Sequence, residues 1–177
     1  MSIQSKVKAA VVLDGQGTRI GVKYFDPDLL ALDKQLALER AVFGKTSRIL
    51  NARKEGEVVM FDQYVTVFKF YGDAFVYVIG AADENELVLH HVLVCLEESL
   101  TSLLRVPIDR QPLIDNLDVL LLTIDEILDD GIILETDSVL VVDGVAMKGA
   151  DRDAPIAEQS LAQAFQTARE TFAKTFR

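Results

Sequence analysis

The sequence contains no tryptophan, only two histidines and a single cysteine, and each shortage narrows what the chain can do. One cysteine cannot form an internal disulfide, and Cys95 falls in an apolar stripe where a free thiol behaves as a small hydrophobic group. We therefore expect a reducing, cytoplasmic location. We expect neither a signal peptide nor a membrane anchor, because residues 1–8 are polar and no apolar run approaches the roughly 18 residues of a spanning helix.

Basic residues are also scarce, since 18 Lys and Arg stand against 28 Asp and Glu and give a net charge of -10. An acidic surface repels nucleic acid and anionic lipid, so we expect no nucleic-acid binding and no direct membrane insertion. Hydrophobic residues nevertheless make up 50% of the chain and aromatic residues only 7%, so aliphatic side chains dominate. Such a chain has either a large internal core or aliphatic surface that a partner covers.

The first half of the chain predicts the order ββαβββ. Residues 6–13 form an unbroken β-prone run typical of a central strand, and the turn at 14–17 joins it to an alternating strand over 19–25. Asp26 and Pro27 predict the start of a helix that stops at Gly44. The apolar face expected for this helix consists of Leu29, Leu32, Leu36 and Phe43. Three further strands are predicted at 57–62, 64–70 and 74–79.

The second half predicts helices. Apolar residues at helical spacing indicate one helix over 86–104 and another over 109–130. Residues 139–142 favour a strand by propensity, but Thr136, Asp137 and Ser138 before them favour a capped helix, and we predict the helix. A linker at 149–154 and a thin amphipathic helix from Pro155 complete the chain.

Residues that could carry chemistry do not form a recognisable active site. Gly44, Lys45 and Thr46 lack the earlier glycine of a phosphate-binding loop. His90 and His91 point about 100° apart on a helix and cannot chelate one ion together. Asp125 and Asp129 share a predicted helix face, which is either an acid-base or cation cluster or a solvated acidic surface, and we favour the surface. We predict no enzyme activity, cofactor or metal.

Several short strings resemble, in order and spacing, the zeta subunits of coatomer, the COPI vesicle coat. The resemblance covers roughly residues 6–175, and the order ββαβββαα is that of a longin-type domain. The strings are Lys8-Ala9, Leu13-Asp14, Gly17, Arg19, Lys23-Tyr24, Phe43, Lys45-Thr46, Tyr77-Val78-Ile79-Gly80, Glu84-Asn85-Glu86-Leu87, Val92-Leu93, Cys95-Leu96, Ser99-Leu100, Asp125-Glu126-Ile127, Asp129, Gly131 and Ile133-Leu134-Glu135.

This resemblance implies an α+β, longin-like fold in residues 1–149, with a five-stranded antiparallel sheet between one helix on one face and two on the other. Residues 150–177 are then a linker and a C-terminal helical tail. It further implies a non-catalytic subunit that pairs with the gamma subunit trunk among the other coatomer subunits. An Arf-family GTPase recruits such a coat to Golgi membranes, for Golgi-to-ER and intra-Golgi transport. The alternative is a sigma-type small chain of a clathrin adaptor, which reads dileucine signals.

Two sets of residues are predicted to make contacts. Phe25, Leu30, Phe43, Phe61 and Phe68 are expected to bind the partner, and Leu161, Phe165, Phe172 and Phe176 are expected to dock the tail. Against dileucine reading, Glu97, Pro107 and Pro112 align with positions that line the apolar pocket of the adaptor chains, although Arg19 matches a basic residue that those chains use.

Overall fold

The computed structural model of the chain describes residues 6–49 and 56–153, with side chains described as far as residue 149. Its contacts divide the chain into two compact units, Met1–Val145 and Ala146–Arg177. The sheet and the helices that cover it belong to the first unit.

Five strands form one antiparallel sheet in the order β2-β1-β5-β4-β3. The strands are β1 (Val7–Asp14), β2 (Arg19–Tyr24), β3 (Glu57–Phe61), β4 (Tyr64–Tyr71) and β5 (Ala74–Ala81). Each strand predicted from the sequence is present. β1 lies between β2 and β5, as its unbroken apolar run predicts, because its alternate side chains are buried on both faces of the sheet.

Two tight turns lie side by side at one end of this sheet. In the β1–β2 turn, the Asp14 carboxylate accepts hydrogen bonds from the backbone N–H groups of Gln16 at 2.9 Å and Thr18 at 2.8 Å. Gly17 in this turn has a φ of 79°, a conformation that glycine adopts without steric cost. Gly15 lies against the backbone of Asp73 in the β4–β5 turn.

The chain enters its first helix later than the sequence predicts. The Asp26 side chain does cap a helix by accepting the N–H of Asp28 at 2.9 Å, but that helix is a single 3₁₀ turn, Pro27–Leu29. The α-helix α1 spans Leu32–Thr46, so it also runs past Gly44, the predicted stop. Gly44 has open space around it and no steric reason to end the helix.

The buried face of α1 also differs from the prediction. Leu32 and Leu36 are 60% and 36% exposed, so they do not face the core. The buried residues of α1 are Leu38, Glu39, Val42 and Thr46. Two of these four are polar, which is why a search for an apolar stripe selected the wrong face.

Helix α2 (Glu86–Leu104) matches its predicted bounds. The Asn85 side chain caps it by accepting the N–H of Leu87 at 2.9 Å, and Arg105 ends it with a φ of 56°. Its buried residues are Leu89, Val92, Leu93, Cys95, Leu96, Ser99 and Leu100. These residues pack on β4 and β5.

The second long helix of the prediction is in fact two helices, α3 (Arg110–Asp115) and α4 (Leu117–Ile127). They are separated at Asn116, whose φ of -125° and ψ of 45° are not helical. The Asn116 side chain donates to the carbonyl oxygen of Pro112 at 2.9 Å, and this side-chain bond competes with helix continuation. The apolar spacing keeps its phase across the break, so periodicity alone does not reveal it.

The chain then forms a short hairpin and a last helix. The hairpin pairs β6 (Leu128–Asp129) with β7 (Ile132–Ile133) around Gly131, which has a φ of 77°. Helix α5 spans Ser138–Asp153 and confirms the helix predicted over 139–142. Asp137 caps it, since its carboxylate accepts the N–H of Val139 at 2.9 Å. The helical backbone continues through Gly149, where the sequence predicts a linker.

The two faces of the sheet carry separate buried clusters. One contains Leu38 and Val42 of α1 together with the 3₁₀ residue Leu29, and the other contains residues of α2 and α4. The predicted arrangement of one helix on one face and two on the other is present, and α3 and α5 add Leu113, Val141 and Val145 to the second cluster.

Within the described residues, α2 is the one helix long and apolar enough to cross a membrane, with a mean hydropathy of 1.4. This finding contradicts the prediction from the sequence that no apolar segment approaches the length of a membrane-spanning helix. The packing of α2 on β4, β5 and α4 accounts for its hydropathy, because the central helix of a domain core meets the same criteria.

Candidate interaction surfaces

The acidic residues near the end of α4 do not form the cluster that was considered from the sequence. Asp125 lies on α4 and pairs with the Nζ of Lys23 on β2, whereas Asp129 lies in β6 and does not share its helical face. Over residues 6–49 and 56–153, no group of three or more His, Cys, Asp or Glu side chains is arranged to hold a metal ion. Sequence reasoning missed Lys23 as a partner because it is distant along the chain.

The histidines and the cysteine occupy ordinary structural positions. His90 is half-buried beside Gly56, and His91 is exposed on another side of α2. Cys95 is buried with its Sγ 4.0 Å from the Oγ of Ser99, and burial raises the pKa of its thiol. A thiol with a raised pKa is a poor nucleophile at neutral pH.

A groove of 540 Å³ runs between α1, the 3₁₀ turn and the β3–β4 turn, and we call it the α1 groove. Its lining residues are Asp28, Leu29, Lys34, Ala37, Leu38, Ala41, Phe61, Asp62, Gln63 and Tyr64. The lining is mostly apolar, and the charges lie at Asp28, Lys34 and Asp62. The exposed residue Leu30, at 64%, follows Leu29 directly and extends the apolar surface. An apolar groove with few polar groups is typical of a binding surface.

The structure separates the residues predicted to bind a partner. Phe61 lines the α1 groove, where the Lys45 ammonium group is 4.5 Å from the centre of the Phe61 ring, and Leu30 follows the lining residue Leu29 in the sequence. Phe43 is half-buried and packs edge-on against Phe75, away from the groove lining. Phe25 packs against the cluster on the opposite face of the sheet.

Phe68 is the clear error among the predicted partner contacts. Its side chain is 0% exposed and stacks on Tyr77, with ring centres 5.6 Å apart. A residue in this position stabilises the core and does not reach a partner. The residues predicted to dock the tail, Leu161, Phe165, Phe172 and Phe176, lie outside the described residues.

Arg19, which matches a basic residue of the adaptor chains, is already bound within this chain. Its guanidinium group donates to both oxygens of the Glu39 carboxylate, at 2.6 and 3.3 Å, and to the side-chain oxygen of Gln35 at 3.2 Å. The Tyr24 hydroxyl donates to Glu39 at 2.8 Å, and burial together with this carboxylate raises the pKa of Tyr24. A guanidinium group held by a buried carboxylate is poorly available to an acidic ligand.

Glu97, which aligns with a pocket-lining position of the adaptor chains, is also bound within this chain. The Lys69 ammonium group donates to the two carboxylate oxygens of Glu97 at 2.7 and 2.9 Å and lies 5.2 Å from the centre of the Tyr71 ring. Burial and the nearby Glu97 carboxylate raise the pKa of Tyr71. Pro107 lines a shallow groove with Tyr71, and Pro112 is in α3. The Glu97 side chain is therefore held in an ion pair and does not offer an apolar surface.

Two features of these surfaces were missed from the sequence. Ala37 and Ala41 line the α1 groove, and small residues at i and i+4 on one helix were a usable signal for a groove. Val58 and Met60 of β3 are 46% and 56% exposed, and no signal in the sequence shows that β3 lies at the edge of the sheet.

Comparison with known proteins points to one family. Residues 6–152 match the model of the clathrin adaptor complex small chain family. The chain is 41% identical over 169 residues to the coatomer subunit zeta-3 of Oryza sativa subsp. japonica, covering 96% of this chain and 95% of that protein. It is 39% identical over 164 residues to the coatomer subunit zeta-1 of Homo sapiens, covering 93% and 89%.

Solved structures show the same fold. A chain in a homology model of the full-length AP-3 complex in a stretched open conformation aligns with a TM-score of 0.65 and 19% sequence identity. The alignment covers 89% of this chain and 98% of that chain. Since the identity to the coatomer subunits is about twice as high and extends over nearly the whole chain, the chain belongs to the clathrin adaptor small-chain family and, within it, to the coatomer zeta subunits.

Proposed function

We propose that this chain is a non-catalytic small subunit of the COPI coat that pairs with the trunk of the coatomer gamma subunit. The identity of 41% to a coatomer zeta subunit, extending over 96% of the chain, carries this proposal. In this role the protein acts in the cytoplasm, on Golgi membranes and on COPI vesicles. An Arf-family GTPase recruits it indirectly, as part of the whole coat, for Golgi-to-ER and intra-Golgi transport.

The α1 groove is the surface that we assign to the gamma trunk. It combines a mostly apolar lining with the exposed side chain of Leu30, at 64%, which follows the lining residue Leu29 directly. An exposed leucine next to a groove favours a large partner, because a protein helix or loop covers both at once. Of the residues predicted from the sequence, we retain Leu30 and Phe61 for this contact and place Phe25 and Phe43 outside it.

The sigma-type alternative is disfavoured by two ion pairs. Lys69 and Glu97 occupy the aligned position of the leucine pocket, and Arg19 is held by Glu39. A leucine side chain of a signal that packed against this ion pair would remove water from the charges. Removing that water costs free energy, and the apolar contact of leucine does not compensate for it. We infer that this chain does not read dileucine signals.

We further propose that residues 1–149 fold as the longin-like domain and that residues 150–177 are an accessory tail. The tail carries Leu161, Phe165, Phe172 and Phe176 at helical spacing, together with Arg169. Its stripe is too narrow to stabilise an isolated helix, so it is helical when docked on protein. Flotation of the full chain and of a chain ending at residue 154 with anionic liposomes tests this, since tail-dependent flotation contradicts protein docking.

Binding of a recombinant gamma trunk fragment tests the function and the surface together. Ala41→Arg fills the α1 groove without changing a fully buried residue, and Leu30→Asp places a charge beside it. We expect each substitution to weaken trunk binding at least about tenfold, as for residues at the centre of an interface. Leu87→Asp is the matched control, because Leu87 is 68% exposed on α2, on the other side of the sheet.

Two further results bear on this proposal. A saturating trunk fragment should raise the melting temperature of the chain, since it binds the folded state alone. If the two groove variants bind the trunk as the parent chain does and Leu87→Asp loses trunk binding, the interface lies outside the α1 groove. Co-purification from cell extract with a clathrin adaptor trunk in place of coatomer contradicts the proposed function itself.

A further inference from the structure

Strand β3 forms one edge of the sheet. In the described part of the chain it pairs with β4 alone, through an uninterrupted register from Glu57 opposite Phe68 to Phe61 opposite Tyr64. In an edge strand, every second residue directs its N–H and C=O groups away from the neighbouring strand. These groups can form hydrogen bonds with another chain.

The β3 edge is also apolar. Val58 and Met60 lie opposite Val67 and Val65, which belong to the cluster on the α2 side of the sheet, so their side chains point to that side. Helix α2 packs over β4 and β5 but leaves Val58 46% and Met60 56% exposed. Two neighbouring aliphatic side chains therefore lie at the surface beside a backbone that can form hydrogen bonds.

The opposite edge of the sheet, β2, is protected by contrast. Helices α3 and α4 pack against it, and its residues Arg19 and Lys23 are held in ion pairs with Glu39 and Asp125. Proteins commonly protect an edge with covering helices, lysine, proline or a bulge. β3 has no lysine, proline or bulge and retains the features that favour pairing.

We propose that the β3 edge binds an extended basic segment of a protein partner, which adds a sixth strand to the sheet. The segment presents aliphatic side chains at alternate positions against Val58 and Met60. It carries Lys or Arg near its ends, because Glu57 and Asp62 bracket β3 and the chain has a net charge of -10. This contact goes beyond the proposed function, since Val58 and Met60 lie on the α2 side of the sheet, although Asp62 also lines the α1 groove.

A second copy of this chain is a poorer occupant. An antiparallel pair centred on Val59 would bring Glu57 of one copy beside Asp62 of the other at both ends of the interface. Like charges at these distances repel, and two chains of net charge -10 repel as wholes.

The test uses the full chain labelled with ¹⁵N and a synthetic peptide of about seven residues that alternates valine with threonine and has lysine at both ends. We expect the peptide to shift the backbone amide signals of Glu57–Phe61. The same peptide with glutamate at both ends should bind about fivefold more weakly, because two exposed charge pairs change from attractive to repulsive.

Two substitutions distinguish specific binding at the β3 edge from non-specific binding to exposed apolar residues. Met60→Lys should weaken binding of the lysine peptide, whereas Ile114→Lys, at an exposed residue of α3, which packs against the opposite edge strand β2, should leave it unchanged. Both sites are exposed, so the melting temperatures of both variants should stay close to that of the parent chain.

Several results would overturn this inference without affecting the proposed function. One is that the lysine and glutamate peptides bind with equal affinity. Another is that the peptide shifts amide signals only outside β3. A third is that the outward-facing amides of β3 are protected from hydrogen exchange in a dilute solution of the chain without peptide, since they are then already paired. Concentration-dependent association that Met60→Lys abolishes would identify a second copy as the occupant instead.

Discussion

The two faces of the central sheet are covered by different chemistry. On the α2 and α4 side, the buried hydrophobic side chains are aliphatic apart from Cys95, and α2 and α4 supply Leu89, Leu93, Leu96, Leu100 and Leu120 to them. On the α1 side, the sheet itself supplies Tyr64, Phe68, Phe75 and Tyr77, and α1 adds few apolar groups. The leucines at 30 and 32 remain at the surface. The aliphatic side chains of the sequence are thus distributed unevenly between the two buried clusters, with most of them on the α2 and α4 side.

The sharpest test of this comparison removes an equivalent side chain from each face. Leu100→Ala in α2 should lower the free energy of unfolding by about 3 kcal/mol, because Leu100 is fully buried and its loss leaves a cavity. Leu32→Ala in α1 should change it by less than about 0.5 kcal/mol, as for other exposed sites. Urea denaturation of the isolated chain measures both values. Similar losses for the two variants would show that the two faces are packed alike.

The second test concerns what holds α1 to the sheet. Glu39→Ala should cost about 2 kcal/mol, because it removes the carboxylate that accepts from Arg19 and Tyr24 and leaves both donors without it. Glu39→Gln keeps an acceptor in place and should cost less. If the urea concentration at the midpoint of unfolding is the same for Glu39→Ala and for the parent chain, apolar contacts alone hold α1 on the sheet.

The smallest expected effect lies at the end of the sheet, where Asp14 of β1 contacts Arg110 of α3. Burial alone would raise the pKa of Asp14, but hydrogen bonds from the N–H groups of Thr18 and Gln16, and then Arg110, outweigh it and lower the pKa. The ionised carboxyl therefore stabilises the fold above its unfolded pKa, and this contribution is lost as the pH falls through the folded pKa.

Asp14→Asn isolates this contribution. The variant should be about 1 kcal/mol less stable than the parent at neutral pH, since a hydrogen-bonded charge is replaced by a neutral amide. The difference should shrink towards zero in acid. Urea denaturation from neutral pH down to about pH 3 measures it, and a gap that stays constant with pH would exclude the carboxyl charge as its cause.

Much of the fold could be predicted from local signals. The five strands follow from β-prone runs and turn residues, and α5 from the capping residue Asp137, whose side chain makes the expected hydrogen bond. The break at Asn116 could not be predicted, because the apolar residues on either side remain in helical phase. The face of α1 was misjudged because Glu39 and Thr46 are buried through hydrogen bonds, and hydropathy does not register those bonds.

The candidate surfaces were less predictable than the fold. Phe61 lines the α1 groove and Leu30 is exposed, whereas Phe68, which was also predicted to contact the partner, is buried. Lys23 with Asp125 and Lys69 with Glu97 are ion pairs between residues far apart in the sequence. Only the folded topology brings such partners together, so acidic residues that look isolated in the sequence are in fact neutralised.

The hairpin around Gly131 also affects how the domain is completed during synthesis. The N–H of Val7, at the start of β1, donates to the carbonyl oxygen of Gly131 at 2.8 Å, and a side chain at position 131 would collide with the Val7 carbonyl oxygen. The first strand of this domain therefore lacks one of its bonds until one of the last segments of the domain has been made. Contacts so distant along the chain slow folding. Until residue 131 has emerged, the nascent chain holds an apolar strand without its closing bond, which is the stage at which a chaperone or an early-binding partner has most to protect.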